Sequence, residues 1–509
     1  MNAPHTPALS SARAKASPFF PATLTLATLL TIGVSLVSAH PGHVHFSPTG
    51  PASGEVPADR AWLAGDHHVH SEFSVGYDRS VSPPAPIIGG DAVYPIATNA
   101  RMARRYGLAW MVATDHGGPN HAKLNLEQAY PSFLESRRDV PEVVQFWGME
   151  FDTPAADHSS IILPHTEDEA VRLHELEFMF SKRETFLLDP GRDTEEKMLE
   201  ALRHMRSLEQ PPIVIAHHPS RSARAPDLYG LTQPSELRGW NDTAPNVAVG
   251  MEGSPGHQAA ALEPDLSLSE DRRGGYRNFP TMGGFDQMTA RLGGFWDSML
   301  GEGRRWWITA TSDSHKNWRE GGSDFWPGEY SKTYVHAART HNDILDGLRH
   351  GRVFVTTGDL ISELYVSVSA QGGKEYASIG GTLKIPSDTN LVDVAIRFRP
   401  PSIPNARGQI PQVARVDLII GSVTGPAADR NATANPTTRI ENRFAPRYWK
   451  LEDGYLTMRH AMMAPEGDFY VRVRGTNTEE LEPSIDPAGE DPWSDLWFYS
   501  NPIFVERAR

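Results

Sequence analysis

Gly65-Asp66-His67-His68-Val69-His70-Ser71 follows a short apolar run, Ala61-Trp62-Leu63-Ala64, that reads as a β-strand. Residues two apart on a strand share a face. His68 and His70 therefore leave the strand end side by side, with Val69 turned the other way. Two neutral imidazoles at that separation can bind one divalent cation. Alone, such a pair equally fits two ordinary polar residues at a strand end. Its weight comes from later apolar runs, which stop on the same residue types.

Those runs are residues 108–114, 143–150, 159–163, 213–217, 247–252 and 306–311. Amphipathic helical patterns lie between several of them, at 95–106, 124–138 and from Asp193-Thr194-Glu195-Glu196 onward, where Met198, Leu199, Leu202 and Met205 share a face. Strand alternating with helix predicts an α/β fold built on a parallel sheet or barrel. Asp115 and His116 end the second run, Glu150 the third and His217-His218-Pro219 the fifth; His158 stands at the mouth of the fourth, and Asp313 and His315 follow the last. In a parallel β/α barrel the strand C-termini gather at one rim, and that rim carries the active site. Any one of these residues has a bland reading, a hydrogen-bonded pair or a solvated strand end. Six run ends of one chemical type do not.

The 509 residues exceed one ordinary core. A formal net charge of -15 does not suggest a nucleic-acid-binding surface. There is no cysteine, which excludes disulfides, thiolate metal sites and a cysteine nucleophile. Any metal must sit on nitrogen and oxygen ligands.

Residues 1–39 read as a signal peptide: Arg13 and Lys15 precede an apolar stretch at 21–37, and Val37-Ser38-Ala39 is a small-residue cleavage site. Cleavage after Ala39 predicts a periplasmic or secreted protein. An uncleaved anchor is the alternative; no later segment has the length and apolarity of a membrane span. Residues 40–59 then form a leader carrying His40, His43 and His45. Residues 255–303, with glycine pairs at 274, 283 and 293, read as a long loop over the site, either a mobile cover or a plain excursion. Beyond 360 the helical pattern gives way to short alternating strands, which predicts a separate β-sandwich over 361–509. Its role is open among glycan, cell envelope, a second copy of the chain, or structure alone.

The ordered set Asp66-His67-His68-Val69-His70-Ser71, Ala113-Thr114-Asp115-His116, Gly148-Met149-Glu150, Ala216-His217-His218-Pro219 and Ser312-Asp313-Ser314-His315 resembles the polymerase and histidinol phosphatase (PHP) family over residues 60–360. The resemblance implies a distorted (β/α)7 barrel and a metal-dependent phosphoesterase. It implies that His68, His70 and Asp313 bind a first metal, that Glu150 bridges to a second held by His158 and His218, and that His116 and His315 hold a third. The family pattern puts proline after the ligand histidine, which selects His218, and strand alternation turns His217 away. The family has an apolar residue where His67 stands, so His67 is expected against the barrel wall. It also places a histidine or acid shortly after the H-x-H pair. Here that position is Val75, and Asp78 just beyond, with Glu72 behind it, is the candidate third-metal ligand.

Two or three divalent ions lower the pKa of a bridging water, neutralise phosphoryl oxygens and orient in-line attack. The resemblance implies zinc or manganese; iron also suits histidine and carboxylate ligands. Glu150 and Asp313 are the expected catalytic carboxylates. Arg221 is the expected phosphate-holding arginine, with Arg224 and Arg79 behind it, and Asp115 is a candidate to orient a ligand histidine. The expected substrate is a small phosphorylated molecule, a mono- or diester. The alternatives are hydrolysis of an amide or lactone, or a non-enzymatic envelope-binding protein.

Overall fold

The computed structural model describes residues 59–276 and 278–508. The expected signal peptide, its cleavage site and nearly all of the leader lie outside the described residues. Among the described residues no helix is long and apolar enough to cross a membrane.

Seven strands follow the apolar runs: β1 Ala61–Asp66, β2 Trp110–Ala113, β3 Val144–Asp152, β4 His158–Ile162, β5 Ile213–Ala216, β6 Ala248–Ser254 and β7 Trp307–Ala310. They lie side by side in that order. Most are buried along their whole length, as expected for strands covered on both faces. The cover comes from amphipathic helices. Glu195–Ser207 buries Met198, Ala201, Leu202 and Met205, and its N-terminus is capped by Thr194, whose side chain accepts from Lys197 N–H. Ile96–Arg105 buries Ile96, Ala100 and Ala103 and starts after Pro95. The predicted helix at 124–138 is broken in pitch: a short α-turn, His121–Leu124, passes through a π-helical turn, Asn125–Ala129, before Tyr130–Asp139.

The sheet is not all parallel. β1, β2 and β3 are mutually parallel, as are β5, β6 and β7, but β4 runs antiparallel to both β3 and β5. A tight β3–β4 hairpin sets Asp152 opposite His158. This reversal puts the beginning of β4, and not its end, beside the C-termini of the other six. The sheet also curls. β1 and β7 have five strands between them, yet the segments that follow them meet: Val69 bridges Ser314, and His70 N–H donates to Ser314 O at 3.1 Å.

On its other side β1 pairs antiparallel with β8, Ser331–Ala337, and β8 with β9, Val353–Thr357. β9 then pairs with Trp497–Ser500 from the end of the chain. One 15-stranded mixed sheet therefore crosses the expected boundary at 360, and the described residues form one compact unit. The C-terminal region is β-rich, and its second sheet is antiparallel and five-stranded. Glu363–Ala370 and Leu391–Arg399 of that sheet bury Val366, Val368, Ile396 and Phe398 in one apolar cluster with Leu418, Val471, Val473 and Phe498 of the large sheet.

Residues 255–303 are an anchored excursion and not a loose cover. Arg273 is fully buried; its guanidinium reaches Asp486 at 3.2 Å and Asp495 at 2.5 Å. Gly283 and Gly284, both at positive φ, aim their N–H groups at Asp486, at 2.6 and 3.0 Å. Asp286 accepts from Ser220 N–H at 2.9 Å and Ser220 O–H at 2.8 Å, two residues beyond His218.

Candidate metal centre

Asp66 ends β1 and turns the chain into the site. Its Oδ1 accepts from His68 N–H at 3.0 Å and its Oδ2 from Ser312 N–H at 3.1 Å. His68 and His70 then point inward, fully buried, with ring centroids 4.9 Å apart. Each Nε2 lies 3.0 Å from Asp313 Oδ1. Glu150 stands on the other side, 3.2 Å from His68 Nε2 and 3.5 Å from His70 Nε2.

The far sides of both rings fix where their protons sit. His68 Nδ1 is 2.7 Å from Glu252 Oε1, and a buried carboxylate there takes a proton from Nδ1. His70 Nδ1 is 2.8 Å from Ser74 Oγ, whose hydroxyl donates to Asp115 Oδ1 at 2.8 Å and so accepts from Nδ1–H. Asp115 thus orients His70 through Ser74. With Nδ1 engaged in each ring, Nε2 is the atom that faces the common point, in the manner of metal-bound histidines held by outer carboxylates. His68 Nε2, His70 Nε2 and Asp313 Oδ1 are all buried without a hydrogen-bond partner. Three converging acceptors repel one another unless a cation lies among them, so the residues present fit a divalent metal.

Glu150 Oε1 also gathers His158 Nδ1 at 2.9 Å, His218 Nε2 at 2.9 Å and His217 Nδ1 at 3.0 Å. The expectation that His217 turns away is corrected. Its ring stacks on His68 with centroids 3.5 Å apart, and its Nε2 contacts Ser160 Oγ. Strand alternation stops applying because β5 ends at Ala216 and His218 has a positive φ of 25°, which swings both rings to one side. His67 is corrected too. It does not lie against one wall but crosses the interior, bonded to Ser160 of β4 at 2.9 Å and Thr309 of β7 at 2.8 Å.

A third group brings His116 and His315 together with Asp91. Asp91 Oδ2 is 3.0 Å from His116 Nε2 and 3.6 Å from His315 Nε2. Asp78, the expected acid, is not there. It sits in a hairpin, Gly76–Asp78 with Ala85–Ile87, and accepts from Ser80 N–H and O–H at 2.9 and 2.6 Å. No side-chain hydrogen bond or ion pair of Glu72 reaches the cluster among the described residues. The hairpin displaces the position the short spacing would occupy, and the chain returns at Gly89, whose N–H donates to Glu72 O at 2.7 Å. That return delivers Asp91.

Charge follows geometry. Burial pushes Glu150 up, but the imidazoles of His158 and His68 outweigh it and hold its pKa well below the carboxylate range. Asp313 is held low in the same way by His68 and His257. Burial lowers His68, yet Asp313, Glu150 and Glu252 raise it well above its ordinary value. His158 is raised to about 9 against burial by Glu150, and His315 to about 10 by Asp91 and Asp313. His70 is lowered by burial and by neighbouring His315. His67 falls to about 3 through burial, which leaves it neutral. The cluster is a set of fixed anions competing for cations, protons included.

Four further residues join the site. Glu252 holds His68 and also accepts from His218 N–H at 2.5 Å and Thr311 O–H at 2.7 Å. The signal was present: Gly250-Met251-Glu252 repeats Gly148-Met149-Glu150. Asp91 was hidden by the hairpin. Tyr276 O–H donates to Asp313 Oδ2 at 2.6 Å. His257 Nε2 is 3.3 Å from the same oxygen, and its Nδ1 contacts Asp324. Both ride on the anchored excursion. His218, His257 and Asp313 all have positive φ without being glycine, strain of the kind that collects at functional sites.

The centre opens into a cavity of about 350 Å3 lined by Asp91, His116, Glu150, Arg221, Asp313 and Lys316, among others. Arg221 stands at this mouth with Nε 3.2 Å from Asp157 and Nη2 also on Asp157. Its guanidinium lies 5.3 Å from the Tyr276 ring centre. Arg224 is exposed, and Arg79 stands on a neighbouring cleft.

No family model matches this chain, and no curated protein matches it. Among solved structures, it is similar over 25% of its length to a chitin-binding domain from Burkholderia pseudomallei, at 11% identity and a TM-score of 0.15. The match spans 57% of that domain's chain, and at this score it carries no argument about fold or ligand.

Proposed function

We propose that this chain is a metal-dependent hydrolase of the polymerase and histidinol phosphatase type, cleaving phosphomonoester or phosphodiester bonds. In this reading the curled seven-stranded sheet is a distorted (β/α)7 barrel, followed by a β-sandwich, and the protein acts outside the cytoplasm after residues 1–39 are removed. The observation that carries the proposal is the convergence of buried, unpartnered His68 Nε2, His70 Nε2 and Asp313 Oδ1 beside Glu150.

His68, His70 and Asp313 would hold one ion. Glu150 would join it to a second held by His158, His218 and His217. Asp91, His116 and His315 would hold a third. Zinc or manganese suits this nitrogen and oxygen set. Bound ions would supply Lewis acidity, neutralising phosphoryl charge and lowering the pKa of water. The chain's own part is positioning. Glu252 and the Asp115–Ser74 pair keep the His68 and His70 tautomers, Tyr276 O–H fixes the outer oxygen of Asp313, and Lys316 and the remaining edge of Arg221 offer positive charge at the mouth. No cysteine is available as nucleophile.

A second reading, hydrolysis of an amide or lactone, draws on one observation. Arg221 already engages Asp157 through Nε and Nη2, which weakens it as a phosphate clamp. One assay separates the two. The purified protein, wild type beside Glu150→Gln, is given para-nitrophenyl phosphate and its bis-ester before and after chelation. Cleavage of either ester, lost on chelation and reduced at least about 100-fold in the variant, supports phosphoester chemistry. A metal-loaded protein inert to both esters overturns it in favour of the second reading.

A further inference from the structure

A second cleft, about 780 Å3, opens beside the metal centre and shares Asp91 and His116 with it. Its walls differ from those of the centre. One side is the hairpin that displaced Asp78, contributing Tyr77, Val81 and Pro84; the other is the segment after the Glu169–Phe180 helix, contributing Phe186 and Leu188. Val81, Phe186 and Leu188 are 47%, 48% and 71% exposed. Large apolar side chains left open in one place mark a binding surface more often than chance exposure does. Here they line one cavity of the size that takes a small organic ligand. Arg183 stands on the same cleft with Nη1 3.4 Å from Asp152.

Asp91 and His116 lie on the lining of both spaces, so the cleft adjoins the centre at these two residues. A molecule with a phosphoryl group at the centre would have its remaining body beside them, within reach of Val81 and Phe186. We propose that this cleft selects the substrate: a phosphoester whose alcohol portion is a large apolar group, alkyl or aryl, rather than a sugar or other polar alcohol. The inference rests on the function proposed above. The hairpin at 76–87 is then the specificity element, and the sequence feature that moved the third-site acid also built the cleft.

The test is binding, which does not depend on turnover. Methylphosphonate and n-octylphosphonate resist hydrolysis and differ only in their chain. Calorimetric affinities are measured on the manganese-loaded protein, wild type beside a Phe186→Ser, Leu188→Ser double variant. Both residues are exposed, and circular dichroism checks that the fold is kept. Each fully buried methylene adds roughly fourfold in affinity, so a half-covered octyl chain is expected to bind at least about 30-fold tighter than methyl. The double variant is expected to lose most of that preference while binding methylphosphonate as before. Two phosphonates binding within about threefold of each other, or a preference unchanged in the variant, overturn this inference alone. If neither phosphonate binds the metal-loaded protein, the proposed function is overturned with it.

Discussion

Glu252 is the residue on which the tautomer of His68 depends. It accepts from His68 Nδ1–H and from the backbone N–H of His218, so it orients one histidine on each side of Glu150. Glu252→Gln keeps the shape but removes the charge and offers an N–H where an acceptor is needed. Outer partners of metal-bound histidines are worth about 10- to 100-fold in metal affinity, and a loss in that range is expected on titrating the variant with zinc. Protons compete for the same ligands. His158 and His315, raised to about 9 and about 10, carry protons at pH 7 in the metal-free protein. Metal binding at pH 7 is therefore expected to release protons and to tighten as pH rises toward 9. Calorimetry in buffers of different ionisation enthalpy counts the protons; zero released at pH 7 would contradict it. Much of this site was legible in the sequence, because a ligand-type residue at the end of an apolar run is a local pattern. Asp91 was not, because its position depends on where a hairpin returns. His217 was not, because a left-handed residue at 218 overrides strand alternation.

At the scale of elements, apolar periodicity located all seven strands but carried no direction. Antiparallel β4 reads like its neighbours, and its reversal is what lets His158 serve the rim from the start of a strand. The close seating of β1 on β2 depends on Gly65. A Cβ there would meet the Trp110 ring at 1.9 Å, and Trp110 Nε1–H donates to Leu63 O at 3.0 Å. Trp110 cannot retreat without losing that bond and its packing. Gly65→Ala is expected to cost about 1–3 kcal/mol in chemical denaturation, the range for overpacking a filled core. Because Gly65 directly precedes Asp66, the same change is expected to weaken metal binding. A variant as stable as wild type would contradict the packing described for these two strands.

At the scale of the molecule, the far end of the chain braces the centre. Arg273, Asp486 and Asp495 tie the excursion that carries His257 and Tyr276 to residues more than 200 positions later. The composition change at 360 was visible in the sequence, but the pairing of β9 with Trp497–Ser500 was not, since register between distant strands leaves no local trace. Arg273→Met leaves Asp495 without its cation and Asp486 with only the Gly283 and Gly284 N–H groups, and a loss of about 3–5 kcal/mol is expected in equilibrium unfolding. A cost near zero would show that the brace is not structural. His68, His70 and Asp313, with Glu150 and the groups around it, would together hold a cluster of ions. Elemental analysis by mass spectrometry of the purified protein, before and after reconstitution with zinc and manganese, tests it most directly. Two or three ions per chain, falling by at least one in Glu150→Gln, is the expected result. No stoichiometric metal after reconstitution would contradict it.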